Sequence, residues 1–537
     1  MPHARIAIGS LAGALAAALA APPLRGFFHV PTGAIGFVTI HQYPKGWDYA
    51  VVAMLVMFSA IGGFVASRGT AVIAPPERRV VGTRAQLLAA LAVFVLMFFL
   101  HDHPYVLMDP FHEGEHLSPA FLLRSGQRPY ADVFLFHGLG VDGGLDALVL
   151  GDPPSPRRVR RLQTVLDGAT LALLVPIAAE VTATAGGMVG AVVVAFCAIA
   201  AGQLPVFPYF RFLPIYLAAL GLLRFARNGR WRWLFLAFAA STLGVLLSVD
   251  TGLYALAGTA LATLALRPRP VARTLLLAAA ALALPVVLLL AIRADLQRFV
   301  VDTFVILPKA IDAAWALPAR HDWSWESARY YLPPVFYGFL LAVAARDRKR
   351  AMPILIVTLL SLFAFRSAAG RCSWSHTRFG LPLFGVAVVA FVLEPLALAK
   401  RRVALAFATV AVALLVELWP NASAGAKLIA GWRARQRHDG LVAYPFKTGK
   451  GIYTTPDNVA SLAALNGFIE QEGGPNATIL DLSNEQALYY LLQRKPAVRC
   501  FEPSVWSAPR IRDETLAELR AHPPAVLIMH SGMNLDA

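Results

Sequence analysis

The sequence predicts a polytopic α-helical membrane protein, about thirteen transmembrane helices with a small C-terminal α/β domain outside the membrane. Three observations predict it. Apolar residues make up 57% of the 537 and charged residues only 15%, against about 25% charged in soluble domains. Mean hydropathy is +0.59. Three cysteines in the whole chain exclude a disulfide-stapled scaffold.

A bilayer-crossing helix needs roughly 20 apolar residues, because unsatisfied backbone is too costly in lipid. Runs of this kind fall at Ile6–Ala21, Trp47–Ala66, Gln86–Leu100, Leu162–Val181, Met188–Leu204, Phe210–Leu223 and Trp233–Val249. They continue at Leu253–Leu266, Leu275–Ile292, Leu332–Ala345, Met352–Phe365, Phe379–Leu398 and Val403–Trp419. Arg5 and the small residues before Pro22 also fit a signal peptide; a retained helix is the expectation, since polytopic chains seldom need a cleaved signal.

Basic clusters then set the orientation. With Arg68, Arg78, Arg79 and Arg84 inside, alternation also places Arg224–Arg232, Arg267–Arg273, Arg346–Arg350 and Lys400–Arg402 inside. Counting Arg5, these loops hold nineteen basic residues against Glu77 and Asp347, a net +17 beside the whole chain's +16. The charge is therefore a topology signal, and no nucleic-acid partner is expected. Arg157, Arg158, Arg160 and Arg161 fall on the outer side, which asks for a reason.

The resulting organisation is N-terminal helices over 1–100, a first outer loop over 101–161, a helix bundle over 162–419 with a second outer loop at 293–331, and an outer domain over 420–537. The second loop carries Trp315, Trp323 and Trp325, residues suited to interface anchoring or to stacking on sugar. In the tail, Pro456 opens a helix behind Thr454 and Thr455, and Gly473-Gly474-Pro475 ends it. Ala477–Leu482 and Ala525–Met529 read as strands, Glu485–Lys495 and Asp513–Arg520 as helices. From Asn421 onward 12 Lys and Arg face 11 Asp and Glu, so the tail is nearly neutral. Cys197 lies in a span; Cys372 and Cys500 are both outside, either as one bridge or as two thiols.

The chemistry-bearing stretch follows Leu100. It contains Asp109-Pro-Phe-His112-Glu113-Gly-Glu115-His116, three carboxylates within seven residues at the end of a membrane span. Ionisable groups are costly at membrane depth. They serve as a general base or a divalent-metal site, or simply as acids at a helix start. Further on come Ser125-Gly126-Gln-Arg-Pro129-Tyr130-Ala-Asp132, His137-Gly138 and Arg161-Leu162. A second patch, Phe365-Arg366 through Gly370-Arg371 to Trp374-Ser-His376-Thr-Arg378, lies between two spans. Arginine forks match phosphate oxygens bidentately, and histidine can donate to them.

The acidic motif, the Gly-x-x-Pro-Tyr-x-Asp stretch, the following glycine and the Arg-Leu resemble the first outer loop of GT-C membrane glycosyltransferases. That superfamily includes protein O-mannosyltransferases, aminoarabinose transferases and mycobacterial arabinofuranosyltransferases. Sequence detail matches over about 55 residues, and the many spans and outer C-terminal domain match in architecture. Two spans before the loop, and His-Glu-Gly-Glu-His in place of a plainer Asp-Glu, depart from the best-known subfamilies.

The resemblance implies a polyprenyl-phosphate sugar donor, an extracytoplasmic glycan, lipid or protein acceptor, and a place in the bacterial inner membrane with the site facing outward. It implies inverting in-line displacement with Asp109 as the leading base. Glu113 and Glu115 would hold a metal or orient the acceptor, with Mg or Mn between Asp109 and Glu113. Arg371, His376 and Arg378 would receive the lipid phosphate, joined by Arg211. Asp250, Arg161, Tyr130, Asp132 and His137 are further substrate-binding candidates.

Two rival classes remain. His112-Glu113-x-x-His116 satisfies the zinc-protease pattern, but Pro110 and Gly114 weaken the rigid helix it needs. A transporter or flippase would place its site near the midplane on broken helices. Charges within the spans are few, with Asp167 and Glu180 toward opposite ends of one.

Overall fold

The computed structural model describes residues 2–32, 35–68, 82–101, 107–182, 185–201, 208–322, 324–346, 348–372, 376, 381–389 and 440–529. The helices are α1 Pro2–Leu24, α2 Gly46–Ala66, α3 Thr83–His101, α4 Gly114–Arg124, α5 Pro156–Val181, α6 Ala185–Ala201 and α7 Tyr209–Asn228. They continue as α8 Trp231–Leu247, α9 Val249–Leu266, α10 Val271–Ala291, α11 Trp325–Arg346, α12 Arg348–Ala364 and α13 Leu381–Val388. Helices occupy eleven of the thirteen predicted spans over most of their length. The twelfth is described only in α13, and Val403–Trp419 lies outside the described residues. Among the described residues seven helices are long and apolar enough to cross a membrane, with α3 and α8 shorter helices of the same kind.

The chain is thus a polytopic helical protein whose outward surface suits lipid. On α10, Leu275, Leu276, Val287 and Leu290 are all exposed. Apolar burial drives little helix association in a bilayer, where close packing and interhelical hydrogen bonds do the work. Gly9 and Gly13 of α1 leave no room for a Cβ against Gly62 and Phe58 of α2, so these two backbones touch. Ser241 and Thr259 link α8 to α9 at 2.8 Å, and Tyr337 and Ser361 link α11 to α12 at 2.8 Å. Asp167 of α5 accepts the Phe210 amide at 2.7 Å, satisfying a donor at the start of α7.

The two ends of the bundle differ. At one end Arg224 and Arg227 meet Glu180 at 3.3 and 2.9 Å, and Arg224 and Arg273 lie over Trp233 and Trp231. At the other end, α4, the loops and the C-terminal domain pack together. Exposed Ser125 and Ser461 belong to that second end, and exposed Thr83 to the first. Cysteines introduced at Ser125 and Ser461 are therefore expected to react with an impermeant thiol reagent from outside, and one at Thr83 only from inside. Labelling of all three from the same side overturns the topology.

The C-terminal domain pairs β1 Val442–Ala443 with β2 Tyr453–Thr454 antiparallel, then runs through α14 Pro456–Gly473, β3 Ile479–Asp481, α15 Pro509–Ala521 and β4 Val526–Ile528. β3 and β4 pair in parallel, Ile479 opposite Val526. Thr455 caps α14 by accepting the Asn458 amide at 3.3 Å, and Gly474, at φ +77°, follows its end. α15 starts four residues before the predicted Asp513, because Pro509 takes the first helical position. The helix predicted over Glu485–Lys495 is regular only at Ala487–Leu491.

This domain is fastened to the loop region between α3 and α5. The Ala487 amide donates to Pro110 O at 2.9 Å, Ser118 Oγ donates to Gln486 O at 2.6 Å, and the Phe134 amide donates to Arg499 O at 3.1 Å. Buried Arg499 pairs with Asp302 of the second loop at 2.7 Å, donates to Tyr130 O at 3.1 Å, and meets Glu514 at 3.0 Å. Cys372 and Cys500 are both free thiols.

Candidate active site

The acidic motif folds as a turn followed by a helix. Asp109 Oδ1 accepts the amides of Phe111 and His112 at 3.1 and 3.0 Å, while Oδ2 lies 2.9 Å from His112 Nδ1. Burial pushes the Asp109 pKa up, but the hydrogen bonds and charge of His112 outweigh it and hold it below the usual value. Glu113 points elsewhere. Its Oε1 accepts from Arg160 Nε at 2.6 Å and its Oε2 from Arg160 Nη2 at 2.8 Å, while Oε2 also takes the Asp109 amide at 2.9 Å. This is a buried bidentate pair, and it gives Arg160 of the 157–161 arginine cluster a structural role. Arg161, the residue of the Arg-Leu pair, is exposed. His116 Nδ1 lies 2.7 Å from Asp146. Burial alone lowers the His116 pKa, but Asp146 and the nearby glutamates more than reverse this.

His112, Glu113 and His116 therefore each serve a different partner, and the helix begins only at Gly114. Among the described residues no group of three or more His, Cys, Asp or Glu is placed to hold a metal ion. The zinc-helix arrangement is not formed, and Asp109 and Glu113, committed to His112 and Arg160, do not fit a divalent ion.

One carboxylate of the motif does face open space. Glu115 lines a cavity of about 340 Å³ at the end of the helix bundle where the loops and the C-terminal domain pack. Burial raises its pKa, against the lowering effect of His137, His112 and Arg211. Beside it His137 is fixed by Asp142. Oδ2 accepts the His137 and Gly138 amides at 2.6 and 3.3 Å, and Oδ1 lies 3.0 Å from His137 Nδ1. The turn needs its glycines: Gly138 has φ +120°, and Gly143, at φ +91°, sits where a Cβ would strike the α4 backbone.

The opposite walls are basic and aromatic. Arg211 Nη2 meets both Asp250 oxygens at 3.2 Å, and Ser248 Oγ receives Arg211 Nε at 3.2 Å. Arg366 pairs with Asp312 at 3.1 Å and stacks over Tyr49 at 4.1 Å. Arg371 and His376 line the same space. Trp315 also lines it, its ring 4.6 Å from Phe136. The Cys372 amide donates to Leu317 O at 3.4 Å, tying the arginine segment to the tryptophan loop. Lys45 anchors that loop from below, paired with Asp48 at 2.6 Å and donating to Leu317 O at 2.7 Å.

The cavity thus gathers Glu115, His137, Arg211, Asp250, Arg371 and His376 from the sequence-predicted set. It does not gather Asp109, Glu113, Tyr130, Asp132 or Arg161. Tyr130 is fully buried at φ +64° against Phe299, and Asp132 closes its turn on the Arg128 amide at 2.8 Å. Arg378 and Trp323 lie outside the described residues. Sequence reasoning missed Arg366, Asp142 and Glu502 as cavity residues. Arg366 stands in the basic patch itself, and Asp142 in a glycine-rich run. Glu502, between Phe501 and Pro503 of the C-terminal domain, had only its apolar neighbours as a signal. Burial and the charge of Glu115 push its pKa up to about 8.

No family model matches the sequence, and no curated protein is significantly similar to it. Among solved structures, the chain is similar to the crystal structure of ArnT from Cupriavidus metallidurans bound to undecaprenyl phosphate. The identity is 16% and the TM-score 0.42, over 77% of this chain and 86% of that one.

Proposed function

We propose that the protein is a membrane glycosyltransferase of the GT-C type, moving a sugar from a polyprenyl-phosphate donor to an extracytoplasmic acceptor hydroxyl. The observation that carries this reading is the single cavity that joins Glu115, from the acidic outer-loop motif, to Arg371 and His376, from the distant basic patch. The first stretch stands in the loop that resembles the superfamily, and the second supplies the arginine forks that match phosphate oxygens. A cavity at the helix ends, beside the C-terminal domain, suits a donor whose lipid lies in the membrane and whose phosphate reaches the interface.

In this reading Glu115 accepts the proton of the acceptor hydroxyl as its oxygen bonds to the anomeric carbon. The bond from that carbon to the phosphate oxygen breaks on the other side, inverting the configuration. Arg371 and His376, with Arg366 beside them, balance the charge left on the departing phosphate. Asp109 acts one step back, holding the His112 ring at the cavity wall. Trp315 and Phe136 offer flat apolar faces to a sugar ring.

The test is binding and transfer by purified protein with a panel of polyprenyl-phosphate sugars. Arg371→Ala is expected to weaken donor binding by about tenfold or more, the loss of one charged hydrogen-bond partner, and Arg371→Lys to restore it only in part because the fork is gone. Failure of the wild-type protein to bind any polyprenyl phosphate overturns the reading.

A further inference from the structure

The cavity has two chemically different ends. Arg366, Arg371 and His376 come from the segment after α12. At the other end the cavity runs into a narrow recess between α4 and the C-terminal domain, lined by Glu115, Asp142 and Glu502 and by none of the cavity's arginines. The arginines of the first end match a phosphate dianion, and the second end offers carboxyl groups instead. Glu502 is held there by short-range features: Ser504 Oγ donates to its Oε1 at 2.5 Å, and three residues earlier Arg499 is locked to Asp302, Glu514 and Tyr130 O.

We propose that Glu502 is a substrate-binding residue at the acceptor end of the cavity, and that the C-terminal domain thereby selects a hydroxyl-rich carbohydrate as acceptor. This rests on the glycosyltransferase reading above. A carboxyl group recognises a pair of sugar hydroxyls because it can receive hydrogen bonds from both, and in its protonated form donate one as well. Phe136 and Trp315 line the main cavity together with Glu502, so a ring can lie on an aromatic face while its hydroxyls meet Glu502. The end of the cavity covered by a domain outside the membrane is also the end a water-soluble glycan reaches without crossing lipid.

The experiment uses the full-length protein in detergent with two probes: undecaprenyl phosphate, and a set of methyl glycosides of common hexoses and pentoses followed by saturation-transfer NMR. At least one glycoside is expected to bind wild-type protein whether or not undecaprenyl phosphate is present. Glu502→Ala is expected to weaken that glycoside by about tenfold, and Glu502→Gln by less, since the amide keeps some hydrogen bonds. Both are expected to hold undecaprenyl phosphate within about twofold of wild type. No glycoside binding to wild type, or equal glycoside binding by all three proteins, overturns the proposal while leaving the glycosyltransferase reading in place. Parallel loss of both probes in Glu502→Gln also overturns it, because Glu502 then acts through the whole fold. Absence of undecaprenyl phosphate binding by wild type instead overturns the parent reading.

Discussion

Glu115→Gln is expected to lower sugar transfer by about 10²–10⁴-fold, the usual contribution of a positioned general base, while undecaprenyl phosphate binding stays near the wild-type level. The amide keeps the size and some hydrogen bonds of the side chain but cannot take a proton at neutral pH. Of the three acids in Asp109-x-x-x-Glu113-x-Glu115, only Glu115 lines the cavity, so the other two serve as internal controls. Asp109→Asn loosens His112 and is expected to cost less than Glu115→Gln. Rates are compared with a labelled polyprenyl-phosphate sugar under single-turnover conditions. Full transfer by Glu115→Gln, with loss in Asp109→Asn, moves the base to Asp109 or to His112 through it.

The second large effect concerns stability. Glu113 and Arg160 have side chains 1% and 13% exposed, and they are joined by two short hydrogen bonds. Removing one partner of such a pair leaves a buried charge uncompensated, typically at a cost of about 3–5 kcal/mol. Glu113→Ala is therefore expected to unfold at markedly lower temperature or denaturant, measured on protein in detergent. It also leaves the Asp109 amide without its acceptor. Replacing both residues by methionine is expected to recover most of the loss, because an apolar pair of similar volume carries no desolvation cost. A Glu113→Ala protein as stable as wild type contradicts the buried pair.

These two cases show what the sequence made legible. Charges at the ends of apolar runs are informative because membrane depth penalises them, and so Glu115, Arg211, Asp250, Arg371 and His376 could be selected before any geometry was known. Their direction could not. Glu113 and Glu115 are two residues apart and near-neighbours on one turn, yet one turns into the protein and the other into the cavity. The deciding partner, Arg160, is 47 residues further on. Tyr130 and Asp132 stand in the motif that resembles the superfamily, but their roles are in the turn that carries the loop over the cavity. Glu502 was hidden for another reason. A single acid in a nearly neutral soluble domain has no membrane cost to mark it, and its place depends on how that domain docks.

That docking has a consequence for the order of assembly. The bond from Ser118 to Gln486 joins residues 368 positions apart, and Gly114 is packed against the backbone at Ala487. Synthesis runs from the N-terminus, so α4 and the loop around it are made long before the segment that covers them. Nearly the whole helix bundle must be inserted in between. Until residues 440–529 have been made and have docked, the buried face of α4 lies uncovered and the cavity lacks a wall. The cavity that Glu502 and Ser504 help to line is therefore complete only once the C-terminal domain has been made and has docked.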